Sequence, residues 1–203
     1  MSTPLARLKT GYTQGGRDLG MAFMGRLGSL PFTPNQITVA GLAMNCAAAV
    51  LVVERHFVWA TAVFVAGSIL DILDGALART HGKLTPFGGF LDSTTDRLSE
   101  GLILGAIAIV LSDQGHRVAL GCVFVALVGS FLVSYTRAKA ESLGVRGDAG
   151  LMARAERVVL VAAALPFAGH GALPYGIYVL AALTAFTVIQ RIVYVRRQLL
   201  SEG

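Results

Sequence analysis

The chain has 203 residues, of which 54% are hydrophobic and only 14% charged, well short of the charged quarter or so usual in a water-soluble domain. That balance excludes intrinsic disorder, and the 24 glycines, scattered without a three-residue period through long apolar segments, exclude a collagen-like or low-complexity chain. The net charge of +5 suits basic loops beside membrane spans, and no aromatic-basic motif points to a nucleic-acid partner.

Taken in chain order, residues 1–33 form a juxtamembrane segment. There Leu5, Leu8, Met21, Phe23, Met24 and Leu27 are interspersed with basic residues, as in an amphipathic helix lying on the inner membrane surface. Gly15-Gly16 interrupts that pattern, and no apolar core of signal-peptide length is present, so no cleaved presequence is expected. Thr33-Pro34-Asn35 reads as a helix start. Hydropathy then predicts six spans within residues 34–203: Ile37–Val53, Phe57–Ala78, Gly89–Leu111, Val118–Thr136, Val158–Gly169 and Pro174–Tyr194. The fifth is short unless its helix begins earlier, near Leu151. The expected architecture is a single all-α integral membrane domain, a six-helix core preceded by a surface helix. Cys46 and Cys122 fall inside apolar runs and read as small core residues rather than a disulfide or a thiolate metal site.

Placing both termini inside puts 15 of the 17 Lys and Arg residues on the cytoplasmic side. Only Arg55 and Arg117 fall outside, the asymmetry that translocated loops impose. The expected location is the cell membrane, multi-pass, with the second-to-third and fourth-to-fifth connections facing the cytoplasm.

Four of the twelve acidic residues lie between Asp71 and Asp96. On a helix, Asp71 and Asp74 share a face with Gly75 and Ala78, while Gly88, Asp92 and Asp96 recur every fourth position on the next. The polar connection from Thr80 to Phe87 lets the two helices return antiparallel with these stripes facing each other. A carboxylate inside a membrane helix costs roughly 2.5 to 3.5 kcal/mol on insertion scales, and four converging acids also repel one another. Divalent cations are the natural compensation. An all-oxygen donor set suits hard Mg²⁺ or Mn²⁺ rather than zinc, and four acids suffice for two ions per site. Because such ions keep positions open for phosphate oxygens, phosphate or diphosphate chemistry is indicated, and the small residues let a bulky ligand approach the backbone.

Asp71 to Asp96 reproduces D-x2-D-G-x2-A-R-x8-G-x3-D-x3-D in every fixed position, and so resembles the signature of the CDP-alcohol phosphotransferase (CDP-alcohol phosphatidyltransferase) family over a chain that matches its six-helix plan nearly throughout. The resemblance implies transfer of a substituted phosphate from a CDP-linked donor to an alcohol hydroxyl, with release of CMP. By position in the motif, Asp71, Asp74, Asp92 and Asp96 are the implied metal ligands, and Asp96 is also the implied base. Gly75, Ala78 and Gly88 line the nucleotide pocket with Asp74, and Arg79 pairs with the donor diphosphate. A homodimer is implied as well.

A basic cluster indicates the acceptor. Arg154 and Arg157 are three apart at a helix start, and Arg137 closes the preceding span, so they can converge on a phosphate through forked hydrogen bonds. This region, with Arg191, resembles the branch of the family that makes phosphatidylinositol phosphate and its archaetidyl counterpart. The implied substrates are CDP-diacylglycerol and inositol phosphate. Glycerol 3-phosphate is the rival acceptor, disfavoured because Ser93 rather than proline follows Asp92. Two readings from other classes are a divalent-cation transporter, which predicts ion flux without CMP, and an intramembrane aspartyl protease, which needs two acids sharing a proton. Neither accounts for Gly75, Ala78, Arg79 and Gly88.

Overall fold

A computed structural model describes residues 33–80 and 85–201, with the backbone alone described for 76–80. The expected surface helix of residues 1–33 lies outside the described residues except at Thr33. Six α-helices follow in order: α1 (Pro34–Val53), α2 (Phe57–Thr80), α3 (Pro86–Asp113), α4 (Arg117–Ser142), α5 (Arg154–Ala164) and α6 (Leu173–Ser201), with a 3₁₀ segment (Leu165–His170) between the last two.

Local chemistry sets the boundaries. Thr33 and Gln36 form a reciprocal capping box at α1, Thr33 N–H donating to Gln36 Oε1 at 2.9 Å, with Pro34 where its missing N–H is harmless. Thr85 caps α3 by accepting from the Gly88 N–H at 3.0 Å, again with proline following. The third helix therefore starts at Pro86, inside the stretch expected to be a polar connection. The fourth runs six residues beyond its expected end at Thr136, so Arg137, Lys139 and Glu141 are helical. The fifth opens at Arg154 and gives way after eleven residues to the 3₁₀ segment. Pro166 lacks an amide donor for the α-helical ladder, and Gly171, at φ 79°, ends the segment.

Among the described residues, four helices are long and apolar enough to cross a membrane: Pro34–Val53, Phe57–Gly75, Arg117–Ser142 and Leu173–Ser201. Large apolar side chains such as Val58, Trp59, Val118 and Phe124 point outward, which suits a lipid solvent and makes the chain a multi-pass membrane protein. The six expected spans thus resolve into these four and two of a different character. α3 carries Asp92, Asp96, Arg97 and Glu100 in its first half, and α5 is too short to span unaided.

The two helices that carry the acidic stripes are not packed closely on each other among the described residues. α1 packs against both α2 and α3, which make little direct contact with each other. The close crossing is between α1 and α2, where a Cβ on Gly67 would come within 3.2 Å of the Gly41 carbonyl. α4 packs along α6 in the same way, a Cβ on Gly129 falling 2.8 Å from Thr184 Oγ1 and 2.9 Å from its Cβ. Ile103, Leu104, Ile107 and Leu111 of α3 are buried with Val52, Leu165, Leu173 and Leu180 in one apolar core. At that end Arg55 pairs with Asp113 at 3.4 Å, both well exposed.

The crossing at Gly129 sets a prediction. Gly129→Val forces α4 from α6 and should cost about 1 to 3 kcal/mol, the usual penalty of overpacking, while Gly105→Val, which meets nothing within 4 Å, should cost much less. Thermal unfolding of the two detergent-solubilised variants compares them.

Candidate active site

The acids of α2 are seated by α1. Thr38 donates its hydroxyl to Asp74 Oδ2, and Gly41 stands opposite Asp71, where a Cβ would collide with Asp71 Oδ1. A threonine therefore orients one carboxylate and the missing side chain of a glycine makes room for the other. Both aspartates are buried.

α5 supplies the opposing charge. Arg154 Nη2 donates to Asp71 Oδ2 at 2.6 Å, and Nη1 lies 2.7 Å from Asp96 Oδ1. One guanidinium thus bridges α2 and α3. Arg157, a turn further on, grips Glu100 with both prongs, Nε to Oε1 at 2.5 Å and Nη2 to Oε2 at 2.8 Å, while Nη1 donates to the Met152 carbonyl at 3.1 Å. Charge-assisted forks of this kind are among the stronger polar contacts in a protein. Asp92 stands one turn before Asp96 on α3, so the four motif carboxylates are divided two and two between α2 and α3.

Beside them opens a cavity of about 480 Å³ whose walls include Asp92, Asp96, Arg137, Arg154, Arg157 and Arg191. All four arginines expected to meet the acceptor are there, but they differ in engagement. Arg191 is buried and donates through Nε to the Ala149 carbonyl at 2.8 Å and through Nη1 to the Val133 carbonyl, tying the 143–153 loop to α4 and α6. Arg157 is 3% exposed and held by Glu100, whereas Arg154 is 29% exposed. Among the described residues, Arg137 makes an exposed i, i+4 pair with Glu141 at 2.9 Å, a contact of small energetic value.

Gly75 is half-buried on α2, next to Asp74. Gly88 sits in the first turn of α3, where a Cβ would meet Thr85 Oγ1 at 3.0 Å and Asn35 Oδ1 at 3.3 Å. Ala78 and Arg79 belong to the last turns of α2, and their side chains lie outside the described residues.

The donor set fits a hard divalent ion in its chemistry: Asp71, Asp74, Asp92 and Asp96 offer carboxylate oxygens, and Asp74 Oδ1 is buried without a hydrogen-bond partner. Among the described residues, no three acidic, His or Cys side chains converge as a ready-made ligand group; the Arg154 guanidinium lies between Asp71 and Asp96 and balances their charge. Three contributors were not picked out from the sequence, namely Thr38, Gly41 and Glu100. Thr38, Gly41 and Asn45 are spaced by three and four on the buried face of α1, a small-polar stripe that would have marked them. Glu100 continues the four-residue phase of Asp92 and Asp96.

The CDP-alcohol phosphatidyltransferase family model matches residues 32–193. The chain belongs to that family and is a phosphotransferase enzyme. It is 40% identical over 174 residues to an archaetidylinositol phosphate synthase of Pyrococcus horikoshii, covering 85% of this chain and 88% of the relative. It is 35% identical over 171 residues to a phosphatidylinositol phosphate synthase of Corynebacterium glutamicum, covering 81% and 78%. The crystal structure of Mycobacterium tuberculosis phosphatidylinositol phosphate synthase with CDP-DAG bound superposes with a TM-score of 0.78 at 30% identity, over 86% of this chain and 92% of that one. The same enzyme in complex with manganese and citrate gives a TM-score of 0.77 over 86% and 87%.

The Thr38 contact is testable by itself. Thr38→Val removes a hydrogen bond to a charged group and should cost about 1.5 to 3 kcal/mol, whereas Thr38→Ser retains the donor and should remain close to wild type; thermal unfolding of the two variants separates them.

Proposed function

We propose that the chain transfers the phosphatidyl group of CDP-diacylglycerol to a hydroxyl of inositol phosphate, giving phosphatidylinositol phosphate and CMP. The observation that carries this reading is the cavity with Asp92 and Asp96 in one wall and Arg137, Arg154, Arg157 and Arg191 in the others. It offers carboxylates to the reacting hydroxyl and cations to a phosphate on the same acceptor. The names of the relatives, and the CDP-DAG held by the Mycobacterium tuberculosis enzyme, support the same donor and acceptor.

In this reading Asp71, Asp74, Asp92 and Asp96 hold two Mg²⁺ or Mn²⁺ ions, which when bound neutralise the diphosphate and favour departure of CMP. The manganese complex of the Mycobacterium tuberculosis relative supports a divalent ion. Asp96 takes the proton from the acceptor hydroxyl, whose oxygen forms the new bond to the phosphatidyl phosphorus as the bond to the CMP oxygen breaks. Arg154 and Arg137, whose side chains are partly exposed at the cavity, receive the acceptor phosphate, and the buried Arg157 and Arg191 add fixed positive charge behind them. Arg79 pairs with the diphosphate, and Gly75, Ala78 and Gly88 let the nucleotide approach the backbone. The site opens to the cytoplasm, the side to which the basic residues assign it, and the protein works as a homodimer in the cell membrane. The identity to the Pyrococcus horikoshii relative favours, as a second reading, the same acceptor with an archaeol-based donor.

Purified protein supplied with Mg²⁺, CDP-diacylglycerol or CDP-archaeol, and a panel of alcohols should release CMP with inositol phosphate. Consumption of glycerol 3-phosphate instead would overturn the acceptor. EDTA, or Asp92→Asn, should reduce CMP release at least a hundredfold. Arg154→Ala should raise the acceptor KM by tenfold or more with the donor KM nearly unchanged.

A further inference from the structure

We infer that Glu100 is a positioning residue of the acceptor site, holding Arg157 so that the first turn of α5 presents Arg154 to the cavity in register with Asp71 and Asp96. The inference deepens the phosphorylated-acceptor reading above and rests on it.

Helical phase aligns the charged groups of α3 and α5. Asp92, Asp96 and Glu100 fall at successive four-residue steps on α3, and Arg154 and Arg157 fall one turn apart on α5. The result is two rungs between the helices: Asp96 with Arg154, and Glu100 with Arg157. The rungs differ in kind. Arg154 divides its fork between two aspartates and remains 29% exposed, so a substrate phosphate can reach it. Arg157 spends both prongs on one carboxylate and is 3% exposed, so it reports position rather than binding.

At the start of α5 the Glu100–Arg157 fork is more deeply buried than the ion pairs of Arg154. The N-cap of α5, Ala153, has no side chain able to cap, and the helix is only eleven residues long. The backbone of α5 packs against α2 and α6, and its link to α3 at this level runs through the long arginine side chains. Arg157 also reaches back to the Met152 carbonyl, while the Met152 N–H donates to Thr187 Oγ1 of α6 at 3.1 Å. Glu100 is therefore, with Asp96, one of two carboxylates through which α3 meets α5, and the one whose arginine is buried and fully engaged. A carboxylate in the wall of an anion-binding cavity works against that anion, and its retention there is explained if its charge is consumed by Arg157. The simpler alternative is that Glu100 only neutralises a buried cation, and the two accounts differ in what happens to the acceptor KM.

The test uses the full-length protein in detergent or bilayer nanodiscs. Glu100→Gln keeps the shape but replaces one acceptor oxygen with a donor facing the guanidinium. It should raise the inositol phosphate KM at least tenfold while the CDP-diacylglycerol KM changes less than twofold. Glu100→Asp keeps the charge with a shorter reach and should fall between Glu100→Gln and wild type; it carries the test if Glu100→Gln does not fold. Glu100→Gln combined with Arg157→Met removes the stranded cation and should recover the thermal midpoint, while the acceptor KM, which also feels the lost Arg157 charge, stays raised; in this variant only a recovered acceptor KM is decisive. An acceptor KM within twofold of wild type in the folded variants, an equal rise in both substrate KM values, or recovery of the acceptor KM in the double variant would each overturn the assignment. The acceptor itself is checked first on wild type. If glycerol 3-phosphate is consumed instead, the proposed function fails while the same KM split, measured with glycerol 3-phosphate, decides the role of Glu100. If only an unphosphorylated alcohol is consumed, both fall.

Discussion

A carboxylate buried in a membrane helix must be neutralised, and the site is organised around that requirement. Asp71 and Asp96 belong to helices that scarcely touch, yet both meet the Arg154 guanidinium at 2.6 and 2.7 Å. In a low-dielectric interior an unpaired charge is costly, and the one hydrogen bond that α1 supplies, from Thr38, goes to Asp74 rather than to either of these two. α5 is consequently placed to deliver arginines, and its brevity follows from Pro166 and the glycine that ends the 3₁₀ segment. α1 serves the same end from the other side through the Thr38 hydroxyl and the space left at Gly41.

The same balance separates structural from reactive charge. Arg157 and Arg191 are enclosed and have their N–H groups committed to Glu100 and to backbone carbonyls. Arg154 and Arg137 retain exposure at the cavity. Four basic residues that look alike in the chain thus divide into two that are buried and hold the loop and helices in place and two that are partly exposed at the cavity. Asp71, Asp96 and Glu100 are paired with arginines in the protein itself, whereas Asp74 has the Thr38 hydroxyl on one oxygen and a buried, unpartnered second oxygen.

Much of this was legible beforehand because it depends on local pattern. The Asp71–Asp96 motif identified the family, apolar run length located α1, α2, α4 and α6, and Thr33-Pro34 marked a true helix start. Other features resisted reading for identifiable reasons. Hydropathy favoured ending the fourth span at Thr136 because Arg137, Lys139 and Glu141 are polar, although helices continue past the apolar slab when their side chains reach the cavity and water. Pro86 read as a loop residue, yet proline is suited to a first helical turn once Thr85 caps it. The acidic stripes of α2 and α3 were readable from their spacing, but not that α1 packs against both helices while these two make little contact with each other among the described residues.

What the sequence by itself determined is the set of chemical groups and their spacing along each helix: four aspartates in two phases, small residues beside them, and arginines gathered at one end of the topology. Tertiary structure alone decided the pairings, Arg154 with Asp71 and Asp96, Arg157 with Glu100, and Thr38 with Asp74. Helical periodicity constrains residues within a turn or two of one another. These partners are 36 to 83 positions apart, and their meeting depends on how glycine-lined helix crossings and a short fifth helix set the relative heights of elements whose separate sequences carry no record of one another.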